Sequence, residues 1–152
     1  MEIERKYLVA KLPDSLAQYP CQEIEQGYLC TQPTVRVRRM GCTNWLTVKE
    51  RIRTSSTAIH NREEEFQLND KAYNRLKSKC EGNMVVKTRY RIPVQQFTAE
   101  LDIFHGVHEG LMLVEVEFPD TATADAFVKP DWFGADVSAD PRYTNSYLSQ
   151  NH

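Results

Sequence analysis

Alternation of charged and apolar residues recurs in seven segments of this 152-residue chain and favours a mainly β fold. The first segment, MEIERKYLV, carries Glu2, Glu4 and Lys6 at every second position, with apolar residues and Arg5 between them. Successive side chains of a strand point to opposite faces. Each such segment therefore predicts a strand with one apolar face and one charged face.

Eight strands are predicted where extended segments are bounded by Gly and Pro. Their ranges are Glu2–Val9, Gln22–Thr31, Thr34–Met40, Asn44–Ile52, His60–Leu68, Met84–Pro93, Phe97–Phe104 and Leu111–Phe118. Three helices are predicted after the N-cap candidates Asn69 or Asp70, Asp120 and Asp140, the last with Pro141 at its first position. The expected fold class is α+β, mainly β. It is a closed eight-stranded antiparallel barrel with a charged lumen and about three helices packed outside.

Composition indicates one globular domain over residues 1–152, with a net charge of -2. The absence of a basic excess argues against nucleic acid or an anionic membrane as the main partner. The four cysteines form no C-x-x-C pair, and no signal peptide or spanning apolar run is visible, so we expect a cytoplasmic protein with free thiols. A transmembrane barrel shares the alternation, but charged residues also occupy the outward positions: Arg5, Arg39, Glu50 and Glu64.

The charges are sorted by sign among the predicted strands. Strands one, five, seven and eight are rich in acidic residues, whereas strands three, four and six are basic. A solvated outer face is the ordinary explanation for one amphipathic strand, but it does not account for this sorting. Like charges at neighbouring positions cost energy unless an ion of opposite sign lies between them. The pattern therefore indicates a ligand with several negative charges together with a divalent metal.

Phosphate groups are the anions that best match these side chains. Carboxylates suit Mg²⁺ or Mn²⁺, which proteins often share with substrate phosphates, and clustered Arg and Lys bind phosphate oxygens. The chain contains neither a G-x-x-x-x-G-K-[ST] loop nor a G-x-G-x-x-G motif, so side chains rather than a backbone cradle would hold the phosphates. An extended linear polyphosphate would fit a charged tunnel.

Seven charged motifs follow one another in a fixed order along the chain. They are E-x-E-x-K at Glu2, Glu4 and Lys6, R-x-R at Arg36 and Arg38, Lys49, E-x-E at Glu63 and Glu65, Lys87 and Arg89, Asp102, and E-x-E at Glu115 and Glu117. This series resembles the signature of the CYTH superfamily, the triphosphate tunnel metalloenzymes. The ending WFGADVSADPRYTNSYL is similar to the tail of compact bacterial inorganic tripolyphosphatases.

The resemblance implies a role for each motif. Substrate phosphates would be bound by Lys6, Arg36, Arg38, Lys49, Lys87 and Arg89. One or two Mg²⁺ or Mn²⁺ ions would be bound by Glu2, Glu4, Asp102, Glu115 and Glu117, and the catalytic residues would be Glu4, Asp102 and Glu117. Glu63, Glu65 and Glu100 would contact metal-bound water or pair with tunnel arginines. Tyr28 would cover the tunnel mouth or serve as an ordinary strand aromatic.

The expected activity is metal-dependent hydrolysis of inorganic triphosphate to diphosphate and phosphate. The alternatives are a class IV-type adenylate cyclase, a thiamine or nucleoside triphosphatase, and a polyphosphate-binding module without turnover. The partner is thus tripolyphosphate or an organic triphosphate. The preferred metal and the oligomeric state, including a homodimer, are left open by the sequence.

Overall fold

The computed structural model describes residues 3–53 and 59–150, and gives only the backbone for 51–53 and 59–61. Its nine strands are β1 Ile3–Val9, β2 Cys21–Thr31, β3 Thr34–Met40, β4 Thr43–Arg53, β5 Ile59–Leu68, β6 Glu81–Val94, β7 Phe97–His105, β8 Met112–Phe118 and β9 Phe133–Asp136. The α-helices are α1 Asp70–Lys77, α2 Thr121–Ala126 and α3 Asn145–Gln150. Among the described residues, no helix has the length and apolarity needed to cross a membrane.

The eight predicted strands and the first two helices are confirmed, with small shifts at their ends. Asn69 caps α1 by accepting a hydrogen bond from the Ala72 amide at 2.8 Å, and Asp120 caps α2 in the same way. The third helix does not directly follow Asp140, because Pro141–Tyr143 forms a 3-10 turn and α3 begins at Asn145. The Asp140 carboxylate accepts from the amide only two residues further on, at Arg142, which favours a turn there.

The strand order is β5-β4-β3-β2-β6-β7-β8-β1-β9. The pairs β1–β8, β1–β9, β2–β3, β3–β4, β4–β5 and β7–β8 are antiparallel. Because β5 and β9 stand at the two ends of this order, the predicted closure of eight strands into a barrel is wrong for the described residues. Alternation determines which side chains share a face, but closure depends on which strand edges pair. The additional strand β9 pairs with β1. The alternation of charged and apolar residues did not predict this strand or its partner.

The chain forms two compact units, which we call the first unit (Met1–Gln22 and Lys87–Tyr143) and the second unit (Glu23–Val86 and Thr144–His152). In the first unit, one sheet face packs into the core with α2 and the segment before β9. Its buried side chains are Tyr7, Ile92, Val94, Ala99, Leu101, Val114, Val116, Phe118, Ala124, Phe127, Trp132 and Phe133. Arg5 lies on this face of β1, where its guanidinium donates to the Asp136 carboxylate and the Ala124 carbonyl. The core therefore accommodates the one cation that broke the alternation of the first strand.

In the second unit, α1 covers one face of β2, β3 and β4. The buried Tyr73 donates its hydroxyl to the Glu25 carboxylate at 2.8 Å. Asp70 accepts from Asn44 at 2.8 Å and from Arg39 at 3.3 Å. Glu25, Arg39 and Asn44 stand opposite one another on adjacent strands, so they share a face. The charged motifs of these strands have the other parity and lie on the face opposite α1.

Candidate active site

The second sheet face of the first unit carries six of the predicted charged site residues. Glu4 on β1 stands directly opposite Glu117 on β8, and Lys6 stands opposite Glu115. Glu115 is also opposite Glu100 on β7. Because paired residues of adjacent strands project to the same side, these five residues share one face, and Asp102 on β7 has the same parity as Glu100. The structure thus brings together the acidic motifs of three strands that are distant in sequence.

Glu115 holds a proton more tightly than an ordinary carboxylate does, because it is half-buried and Glu4 lies beside it. Burial, followed by the hydrogen bond and the negative charge of Glu4, raises the pKa of Glu115 to about 7. The Lys6 ammonium, 3.8 Å from the Glu115 carboxylate, opposes this rise but does not cancel it. A divalent cation could neutralise the same two carboxylates in place of the proton, and carboxylate oxygens are the ligands that Mg²⁺ and Mn²⁺ prefer. The donor set therefore fits such an ion.

A complete metal cage is not formed by the residues that the structure describes, because no three His, Cys, Asp or Glu side chains there are arranged so that they could hold one metal ion. Glu2, the other predicted ligand on the first strand, lies outside the described residues. Glu117 is exposed on β8, opposite Glu4. The pair Glu4–Glu115 is thus the part of the predicted metal set that the geometry supports directly.

Lys6 is fixed by the segment that follows β9. Its ammonium donates to the Tyr143 carbonyl at 3.0 Å, and its backbone amide donates to the Ser138 hydroxyl at 2.8 Å. The Val137 amide in turn donates to the Lys6 carbonyl at 2.8 Å. These bonds hold the ammonium beside the acidic residues. The contribution of the Tyr143 carbonyl could not be predicted from the sequence, because every residue type has a backbone carbonyl.

Asp102 lies between two of the predicted phosphate-binding cations. Its carboxylate is 2.9 Å from the Lys87 ammonium, and it accepts from the Arg89 Nε and Nη2 at 2.8 and 3.0 Å. Burial alone would raise the pKa of Asp102, but the bonds to Arg89 and the charge of Lys87 outweigh it and lower the pKa. Burial likewise opposes the charge of Arg89, yet Asp102 raises its pKa overall. Asp102 thus stabilises the charged form of Arg89 and forms an ion pair with Lys87.

Glu100 forms ion pairs with arginines of β6, which is one of the two roles expected for it. Its carboxylate lies 3.6 Å from the Arg89 Nη1 and 3.7 Å from the Arg91 Nη2. The charged face opens beside it into a cleft of about 540 Å³. The cleft is lined by Arg91, Gln96, Phe97, Thr98, Glu100, Glu115 and Glu117. The first unit therefore combines carboxylates and cations along one accessible surface.

The charged face of the second unit consists of cross-strand rows on β2, β3, β4 and β5. Strand pairing places the predicted cations in successive rows, and each of the first two rows also contains uncharged polar residues. One row is Gln26, Arg38, Trp45 and Gln67, the next is Tyr28, Arg36, Thr47 and Glu65, and beyond them Lys49 stands opposite Glu63. Thr47 and Gln26 were not predicted as site residues, although each occupies the parity of the charged motifs. This shared parity is the sequence feature from which Thr47 and Gln26 could have been predicted as site residues.

Arg36 is linked across the strands to Glu65 through a threonine. The Arg36 Nη2 donates to the Thr47 hydroxyl at 3.5 Å, and that hydroxyl donates to the Glu65 carboxylate at 2.9 Å. Tyr28, which is buried, stands opposite Arg36 on β2. Lys49 is exposed, as are Glu63 and Glu65 on β5. Glu65 therefore pairs indirectly with an arginine, in agreement with one of its two expected roles.

Comparison with known proteins identifies the family. No family model matches the chain. An inorganic triphosphatase of Nitrosomonas europaea is 40% identical, with 97% of this chain and 96% of that protein covered. The chain belongs to the inorganic triphosphatase family. A second family member, from Acetivibrio thermocellus, is 38% identical over 99% of this chain and 94% of that protein.

Solved structures agree with membership of the inorganic triphosphatase family. The crystal structure of the inorganic triphosphatase NE1496 matches with a TM-score of 0.81 and 36% identity, covering 100% of this chain and 96% of that chain. HpAC1 from Hippeastrum, an adenylyl cyclase candidate with a dominant triphosphatase activity, matches with a TM-score of 0.55 and 15% identity over 82% of this chain and 83% of that chain. The latter likeness shows the fold alone. The predicted resemblance to compact bacterial inorganic tripolyphosphatases is confirmed.

Proposed function

We propose that this chain hydrolyses inorganic triphosphate to diphosphate and phosphate with the help of Mg²⁺ or Mn²⁺. The observation that carries the proposal is the 40% identity to an inorganic triphosphatase over 97% of the chain. In the reaction, the oxygen of a water molecule bonds to a terminal phosphorus. The bond from that phosphorus to the bridging oxygen breaks, and diphosphate leaves. The released proton passes to solvent or to a nearby carboxylate.

The residues that would bind the substrate phosphates are the cations of the charged motifs, Lys6, Arg36, Arg38, Lys49, Lys87 and Arg89. Support comes from Asp102, which positions Lys87 and Arg89 through ion pairs and stabilises the charged form of Arg89. Phosphoryl transfer depends mainly on such positioning and on neutralisation of the phosphate charge. The tunnel expected for the CYTH superfamily is part of this proposal.

The divalent cation would be held by Glu4 and Glu115, with Glu2 and Glu117 as further ligands. When bound, the cation supplies charge neutralisation for phosphate oxygens and activation of the attacking water. Glu117, opposite Glu4 and exposed at the cleft, would orient that water. The surroundings of Asp102 support a role in positioning the cations rather than in binding metal, because both its oxygens already accept from Lys87 or Arg89.

Phosphate release from tripolyphosphate tests this function. We expect hydrolysis with Mg²⁺ or Mn²⁺, and loss of roughly 100-fold or more in kcat for Glu4→Gln, since the substitution removes one charge of the ligand pair. Glu64→Gln is the matched control, because Glu64 is an exposed carboxylate on β5 whose parity places it on the face opposite Glu63 and Glu65. Full activity in Glu4→Gln would contradict the assignment. Cyclic AMP made from ATP, with tripolyphosphate left intact, would contradict the proposed reaction.

A further inference from the structure

Gln26 is a buried polar residue whose side-chain donor has no visible acceptor. Only 1% of the residue is exposed, and its Nε2 makes no hydrogen bond within the described part of the chain. A buried amide without a partner costs free energy, and most buried polar groups in native proteins are satisfied. The position on β2 therefore calls for an acceptor that is supplied from outside the described residues.

The neighbours of Gln26 are the cations of the R-x-R motif. Gln26 stands directly opposite Arg38 and diagonally from Arg36, on the shared face of β2 and β3. The Arg36 Nε is also buried and also lacks an acceptor. Two unsatisfied N–H donors thus occur on neighbouring strands, beside two guanidinium groups. This combination suits an anion with several oxygen acceptors.

We propose that Gln26 is a further substrate-binding residue, whose carboxamide N–H donates to a phosphate oxygen of the triphosphate. The inference rests on the proposed function and extends it by an uncharged contact that the charged motifs do not include. Arg36 and Arg38 provide the charge, while the amide provides a directional donor in a buried position. The Thr47–Glu65 link fixes the Nη2 of Arg36 and leaves its Nε for the same anion.

The test compares Gln26→Met with wild type, because Met has a similar length and no donor. Replacing a buried, unsatisfied amide by an apolar group of similar shape should leave the ligand-free Tm unchanged or raise it. At the same time, the KM for tripolyphosphate should rise about 10-fold or more, since the lost bond is to a charged group. Gln67→Met is the matched control, because Gln67 lies in the same cross-strand row but is exposed. It should keep the wild-type KM.

The ligand-free Tm and the KM for tripolyphosphate together distinguish substrate binding from a structural role of Gln26. The Tm is measured in EDTA without tripolyphosphate, and the steady-state constants are measured with the metal that supports turnover of wild type. A KM within twofold of wild type overturns the proposal, and is the result expected if an ordered water satisfies Gln26. A lowered ligand-free Tm with unchanged KM would show a purely structural role and would also overturn it.

Gln26→Glu is the second variant, for the case that Gln26→Met does not fold. The carboxylate replaces the donor by a like charge, so the KM should rise by more than in Gln26→Met, and an unchanged KM would again overturn the proposal. If wild type itself does not hydrolyse tripolyphosphate, the proposed function fails and the inference fails with it. If wild type is active and both variants match it, only the role of Gln26 is wrong.

Discussion

Two carboxylates of the first unit, the buried Asp102 and the half-buried Glu115, lie beside groups of different charge. Asp102 lies against Lys87 and Arg89, whereas Glu115 lies against another carboxylate, Glu4. Burial alone would raise the pKa of both acids, but the two cations lower the pKa of Asp102 and the Glu4 charge raises that of Glu115 further. Two acids of one sequence pattern therefore have different electrostatic surroundings, in line with the different roles proposed for them above.

Asp102→Asn tests the cation-holding role. The Lys87 side chain is 2% exposed, so loss of its carboxylate partner leaves a buried charge without full compensation. We expect the free energy of unfolding in EDTA to fall by about 3–5 kcal/mol, as measured by urea denaturation. Asp131→Asn, at an exposed ion pair with Lys11, should change it by less than about 1 kcal/mol. If Asp102 served only as a metal ligand, its neutralisation would not destabilise the metal-free protein.

Glu115→Gln tests the raised pKa of Glu115 through the pH dependence of stability. Because the folded-state pKa of about 7 lies above the ordinary value of 4.5, the folded protein binds this proton more tightly than the unfolded chain. The resulting stability is fully present below pH 4.5 and is lost as the pH rises through about 7. In EDTA, wild type should thus lose up to about 3 kcal/mol relative to Glu115→Gln between these limits. Parallel pH profiles of the two proteins would contradict a raised pKa of Glu115.

At the scale of elements, α1 and the charged motifs occupy opposite faces of the same strands. Tyr73→Phe removes the bond from the helix to the Glu25 carboxylate, which Lys77 also contacts at 2.9 Å. We expect a loss of about 1–3 kcal/mol in the free energy of unfolding, since the bond is to a charged group. The KM for tripolyphosphate should stay unchanged, in contrast to Gln26→Met. A raised KM in Tyr73→Phe would mean that the two faces are not functionally separate.

The elements that the sequence predicted well are those with a strong period. Alternation located eight strands, and side-chain caps located α1 and α2, because both signals are local. β9 was missed because four residues, Phe133–Asp136, are too few to show alternation. Its pairing with β1 depends instead on distant contacts such as the ion pair between Arg5 and Asp136 at 2.8 Å.

For the candidate site, charge patterning predicted which residues share a face but not how each is neutralised. The ion pairs of Asp102 and the raised pKa of Glu115 depend on distances across strands, which a linear pattern does not contain. Gln26 was not predicted as a site residue for a related reason. An uncharged residue gains significance only when burial removes its access to water, and burial is a property of the folded chain.

At the scale of the whole molecule, the sequence pattern also does not determine the topology of the sheet. A sheet with one charged face can be closed or open, because side-chain parity is identical in both arrangements. The order of nine strands, with β5 and β9 at its ends, follows from edge pairing. The exposed side chains of β5 on both parities, including Glu65 and Phe66, are those of a strand at an edge.

The position of β1 between β8 and β9 has a consequence for synthesis of the protein on the ribosome. β1 comprises residues 3–9, yet its two partners comprise residues 112–118 and 133–136. Translation proceeds from the N-terminal side, so β1 must wait until residues 112–118 are made before either of its edges can pair. Contacts of such long sequence separation are slow to form because loop closure precedes them. The residues that carry Glu4 and Lys6 are therefore made well before their partners but ordered late.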